Sequence, residues 1–81
     1  MTLEIITPEK TLFEGKINSL NVPGTKGPFV ILHNHAPIIS TLDKGQIKIV
    51  TDNQDTKLIN IEGGIIEVKK NKIIVLADLV Q

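Results

Sequence analysis

The sequence predicts an all-β fold, a flattened β-sandwich or barrel of short strands, and three observations predict it. Apolar and polar residues alternate in runs of four to seven residues at regular spacing, with turn signals between the runs. No stretch repeats its apolar residues with a helical period. The apolar residues are mostly Ile, Leu and Val, with two Phe and no Trp or Tyr, and β-branched side chains suit a pleated, half-buried surface. At 81 residues the chain makes one domain, residues 1–81. A domain of this size buries about 60–65% of its unfolded surface, so its own core stabilises it only modestly.

The elements follow in order. Thr2 to Ile6 alternates, with Leu3 and Ile5 on one side and Glu4 on the other, and predicts a strand. Thr7-Pro8-Glu9-Lys10 is a turn. Thr11-Leu12-Phe13 predicts a second short strand, ended by Gly15. Ile17 to Val22 predicts a third, with Leu20 and Val22 on one face. Pro23-Gly24 suits the centre of a type II turn, in which glycine takes positive φ.

The stretch Gly24 to Pro37, G-T-K-G-P-F-V-I-L-H-N-H-A-P, joins the two halves of the chain. It opens as a glycine-bounded loop. Pro28 donates no backbone hydrogen bond, so it belongs at a strand start, an edge or a bulge. Phe29 to Leu32 predicts a strand. His35 lies just before Ala36-Pro37, where the approaching proline disfavours helix and makes a corner.

After Pro37, Ile38 to Leu42 is short and apolar, and Asp43-Lys44-Gly45 is a turn. Gln46 to Thr51 alternates, Asp52 to Asp55 is a polar hairpin tip, and Thr56 to Glu62 returns. Gly63-Gly64 signals a bulge or a close backbone approach. Ile65 to Lys69 and Ile73 to Ala77 are strands on either side of a Lys70-Asn71-Lys72 turn.

Composition excludes several function classes. Nine basic residues balance nine acidic ones, and base-stacking aromatics are nearly absent, so no nucleic-acid footprint is present. No segment approaches the ~18 apolar residues that span a bilayer. Glu4 interrupts the N-terminus before any apolar signal core forms, which predicts a protein of the cytoplasmic side. Cysteine is absent, so no disulfide or thiolate metal site is available. His33 and His35 share a strand face, but a metal site needs further ligands and no third His exists. His35 is expected to hydrogen-bond within its own turn. No phosphate-binding loop of the G-x-x-x-x-G-K-[ST] type and no Ser-His-acid constellation is readable, so neither catalysis nor a cofactor is expected. Lys44, on a tight turn beside Asp43, superficially fits the modified lysine of a small β-sandwich carrier domain. The plainer reading of Lys44 is a solvated turn lysine.

One feature of the second half points to a partner. With Ile47, Ile49, Ile59, Ile61, Ile66, Val68, Ile73 and Val75 facing the core, the opposite parity should be polar. Lys48, Asn60, Glu62, Glu67 and Lys69 obey. Leu58, Ile65, Ile74 and Leu76 do not, and so small a sandwich has nothing of its own to cover them.

Four stretches carry a family resemblance. They are Gly27-Pro28-Phe29-Val30-Ile31-Leu32-His33-Asn34-His35-Ala36-Pro37, Gly45 to Ile49, Ile61 to Val68, and Asn71 to Asp78. Together with Leu3 to Gly15 they resemble, at the same spacing and over nearly the whole chain, the epsilon subunits of bacterial ATP synthases. The first looks like the pattern G-x-x-G-x-L-P-N-H-A-P, departing from it at Val30 and His33. The resemblance implies a non-catalytic sandwich of about ten strands in the central stalk, the rotor. It would bind the gamma subunit, rest on the c-ring, and couple proton transport to ATP synthesis as a peripheral protein on the cytoplasmic side of the inner membrane.

By matching positions, the resemblance puts Ala36, Gln46, Leu58, Ile65 and Ile74 on the gamma-facing surface, and Gly27, Pro28 and His35 on the loop facing the c-ring. Leu58, Ile65 and Ile74 are also outer-parity apolar residues. Pro28 stands where relatives often carry an acidic residue, Val30 where glycine is common, and His33 where proline is common. The sequence ends at Gln81, where relatives usually continue into a helical hairpin that inhibits ATP hydrolysis. The resemblance therefore implies a chain that couples without inhibiting by that route.

Overall fold

The structure, a computed structural model, describes residues 1–79. Gln81, on which the expectation of a missing hairpin rests, lies outside them. The described residues form eight strands: β1 Thr2–Ile6, β2 Thr11–Val22, β3 Phe29–Ile31, β4 Ile38–Leu42, β5 Gly45–Thr51, β6 Thr56–Ile61, β7 Gly63–Lys69 and β8 Lys72–Asp78. The all-β expectation holds. The strands number eight where about ten were expected, in part because Thr11–Val22 is one long strand.

Gly15 does not end that strand. It pairs with Leu3 across the β1–β2 ladder, and the strand runs on through a register shift between Ile17 and Ser19 to Val22. That irregularity lets β2 serve two sheets, since a bulge bends and twists a strand. One sheet has the order β4-β7-β8-β1-β2, and the other is β3-β2-β5-β6. All neighbours are antiparallel except β1 and β8, the first and last strands, which are parallel.

The inward faces of both sheets supply one core. Leu3, Ile5, Ile66, Val68, Ile73, Val75 and Ala77 come from the first sheet, and Leu20, Val22, Ile31, Ile47, Ile49 and Ile61 from the second. Seven of the eight second-half residues expected inside are fully buried; Ile59 is partly buried against the cluster. Each buried Ile or Val contributes about 1.5–3 kcal/mol relative to exposure, so the alternating parity is what holds the sandwich closed.

The turns use the expected residues with one exception. Thr7 is buried, its hydroxyl donates to the Lys10 carbonyl at 3.0 Å, and it accepts the Lys10 N–H at 3.1 Å. The Asp52–Asp55 tip has Gln54 at φ 66°. Gly24, however, does not take the positive φ expected of it; Gly27 does, at 125°. Gly24 is required for room instead: a Cβ there would lie 2.7 Å from both the Gly27 carbonyl oxygen and the Phe29 ring. Among the described residues no helix is long and apolar enough to cross a membrane.

Candidate functional site

The outward face of the β4-β7-β8-β1-β2 sheet is sorted by cross-strand register into three rows. In the first, Thr41 pairs with Ile65, Ile65 with Leu76, and Leu76 with Ile6. In the second, Ile39 pairs with Glu67, Glu67 with Ile74, Ile74 with Glu4, and Glu4 with Glu14. In the third, Lys69 pairs with Lys72, Lys72 with Thr2, and Thr2 with Lys16. Alternate residues along a strand are about 7 Å apart, so the rows follow one another at that interval. The face is apolar at one end, acidic with Ile74 and Ile39 interspersed in the middle, and basic at the other end.

Large apolar side chains here stand open to solvent. Ile39 is 72% exposed, Leu76 52% and Ile65 47%, while Ile74 is half-buried between Glu67 and Glu4. A shallow hollow of about 420 Å³ lies over the apolar row, lined by Ile6, Pro8, Gly64, Ile65 and Leu76. Gly64 sits against the β8 backbone, where a Cβ would overlap the Leu76 carbonyl oxygen. The expected close backbone approach is therefore present at Gly64, at the start of β7.

The residues expected on one gamma-facing surface fall in three places. Ile65 and Ile74 are diagonal neighbours on the banded face. Gln46 and Leu58 are diagonal neighbours on the outward face of the other sheet, where Leu58 is 56% exposed beside Lys48. The Gln46 side-chain amide there donates to Asn60 Oδ1 at 3.3 Å, and the surroundings are polar. Ala36 is exposed in the β3–β4 loop. The sequence reading missed Ile39. Its parity signal was present, but a five-residue apolar run does not say which side faces out.

The residues expected to face the c-ring lie on both sides of β3. Gly27 and Pro28 precede it, in a loop tied to β4 by the Thr25–Thr41 hydroxyl pair at 2.8 Å. His35 follows it, and its Nδ1–H donates to the Ala36 carbonyl at 2.7 Å, as expected of a turn histidine. That second loop is clasped to the β7–β8 turn. The Asn34 N–H donates to Asn71 Oδ1 at 2.6 Å, and the Asn71 amide donates to Asn34 Oδ1 at 2.9 Å. Both asparagines have left-handed backbones, at φ 65° and 61°, which asparagine tolerates better than other non-glycine residues. Asn71→Ala loses both bonds and keeps the strained φ, so it is expected to cost about 1–2 kcal/mol in urea unfolding. Asn71→Gly, which relieves the φ, is expected to cost less; equal losses would mean the backbone conformation is irrelevant.

Lys44 lies in the β4–β5 turn with its Nζ 3.6 Å from Glu62 Oε2, an exposed pair. Such pairs contribute about 0–1 kcal/mol. Among the described residues no three His, Asp or Glu gather as metal ligands would.

The family model described as "ATP synthase, Delta/Epsilon chain, beta-sandwich domain" matches residues 1–81. The "ATP synthase epsilon chain" of Leptospira borgpetersenii is 45% identical over 78 residues, covering 96% of this chain and 61% of the relative. That of Chlorobaculum tepidum is 39% identical over 77 residues, covering 95% and 88%. The chain thus spans about three-fifths of the length of the Leptospira relative. Among solved structures, a chain of the Euglena gracilis mitochondrial ATP synthase (OSCP/F1/c-ring) superimposes with a TM-score of 0.87 at 13% identity, over 93% of this chain and 48% of that one. A chain of the Tetrahymena thermophila mitochondrial ATP synthase (central stalk/c-ring) gives 0.79 at 19%, over 96% and 63%. At those identities the two structures speak to the fold.

Proposed function

The chain belongs to the ATP synthase delta/epsilon chain β-sandwich family, and from that premise we propose that it is a non-catalytic subunit of the central stalk, bound to the gamma subunit through the outward face of its β4-β7-β8-β1-β2 sheet. The observation that carries this reading is the adjacency on that face of exposed Ile65 and Leu76 with half-buried Ile74. Exposed apolar patches of this kind mark interfaces. Leu58, by contrast, stands among polar neighbours, so the main contact goes to the first sheet and Gln46 and Leu58 lie outside it. Ala36 sits in the loop leading to β4, whose Ile39 extends the face.

The end bearing Gly27, Pro28 and His35 meets the c-ring in this reading. The subunit then transmits torque between the ring and the catalytic head as a rigid spacer, peripheral to the membrane and on its cytoplasmic side. Rigidity is what the role demands, and a closed apolar core provides it. Co-expression with the gamma subunit of the same organism, followed by size-exclusion chromatography, tests the reading. A co-eluting equimolar complex is expected, and separate elution of two folded proteins contradicts it.

A further inference from the structure

The banded face carries more information than its apolar row. Glu4 lies directly opposite Glu14, and Lys69 directly opposite Lys72. Like charges directly opposite on a sheet are destabilising. The acidic and basic rows run side by side, yet Lys44–Glu62 is the single ion pair within 4 Å among the described residues, so no member of either row has an ion-pair partner at contact distance. A face that had only to fold gains nothing from sorting its charges into like-signed rows. A face that reads a partner does, because charge order fixes register and orientation.

Resting on the reading above, we propose that this face recognises an amphipathic helix of the stalk partner laid across the strands. The helix sets its apolar stripe on the Ile65–Leu76 row. Its Lys or Arg flank lies over Glu4, Glu14 and Glu67, and acidic side chains of the partner lie beyond, over Lys16, Lys69 and Lys72. The apolar row runs across four strands, β4, β7, β8 and β1, a span of about 14 Å, which matches about 10 helical residues. A helix about 10–12 Å across covers two rows that are about 7 Å apart. An extended segment adds to a sheet edge and leaves the rows unread.

The test exchanges the rows. A variant with Glu4, Glu14 and Glu67 changed to Lys, and Lys16, Lys69 and Lys72 changed to Glu, keeps the net charge and the like-charge pairs. It is titrated with purified gamma subunit at about 50 mM and about 500 mM salt. Binding is expected to weaken at least ~30-fold at low salt and by less than ~3-fold at high salt, where screening removes the charge reading. A second variant, Glu4→Gln with Glu14→Gln and Glu67→Gln, is expected to bind roughly 10-fold more weakly at low salt and carries the test where the exchange variant fails to fold. Unchanged affinity in a folded variant overturns the proposal. If Ile65→Glu with Leu76→Glu also leaves binding unchanged, the gamma contact itself is misassigned; if that variant alone loses binding, only the charge reading fails. A dimer of the isolated chain in light scattering, dispersed by the row exchange, gives the face to a second copy and overturns the proposal as well.

Discussion

Ile65→Glu together with Leu76→Glu is expected to yield a folded chain that no longer holds the gamma subunit. The two residues are paired across β7 and β8 and are each about half exposed. Covering what remains of each side chain contributes about 1 kcal/mol, half the value for full burial. The larger effect is the penalty. A carboxylate pressed into an apolar contact costs several kcal/mol unless it finds a partner. Two such groups weaken binding by at least about 4 kcal/mol, or roughly 10³-fold. Fold stability falls by about 1–2 kcal/mol: both positions face solvent in the free chain, but strand preference is lost and the two carboxylates stand directly opposite each other. Isothermal titration with gamma and a thermal melt read the two effects separately. A variant that melts normally and binds normally removes this face from the interface.

Gly64→Val is expected to be the most damaging substitution in this sheet, and for a different reason. The Cβ overlaps the Leu76 carbonyl oxygen and lies 3.3 Å from the Ala77 Cα, both backbone atoms that have no rotamer to turn away. The β7–β8 ladder must open where Gly64 pairs with Ala77. A cost of about 3 kcal/mol follows from comparable overpacking, which lowers the melting temperature of a domain this size by about 12–24 °C. Gly63→Ala is the control, because its Cβ meets only the Leu42 carbonyl oxygen at 3.4 Å, an ordinary contact. It should cost under about 1 kcal/mol. Equal melting temperatures for the two variants would show that β7 and β8 are not packed this closely.

Much of this architecture was legible in the residues because side-chain alternation has a period of two and the core is one-sided. Leu3 against Glu4, and Ile47 and Ile49 against Lys48, leave no second phase that buries the apolar set. Three of the four outer-parity residues were legible for the same reason: Leu58, Ile65 and Leu76 do stand in solvent, while Ile74 is half-buried. Register between distant strands was not legible. The parallel pairing of β1 with β8 brings Glu4 beside Ile74 and Thr2 beside Lys72, across some seventy residues of chain, and no local pattern encodes it. Without that pairing the charge rows cannot be seen, and Ile65 and Leu58 cannot be assigned to different sheets. Gly15 was misread because a glycine in a short strand signals an end, whereas here it pairs with Leu3 in mid-strand. At Pro23-Gly24 the turn chemistry was right, but positive φ belongs to Gly27, three residues on.

The most direct measurement places a photo-reactive benzoylphenylalanine at one of two positions and irradiates the complex with gamma. Both Ile65 and Leu58 are exposed apolar residues in the middle of strands, so the probe is comparable at each. Position 65 is expected to give a covalent adduct with the gamma subunit and position 58 is not. An adduct from position 58 and none from position 65 would mean that the stalk grips the opposite sheet, and that the row of isoleucine and leucine across β7, β8 and β1 is not where this chain is held.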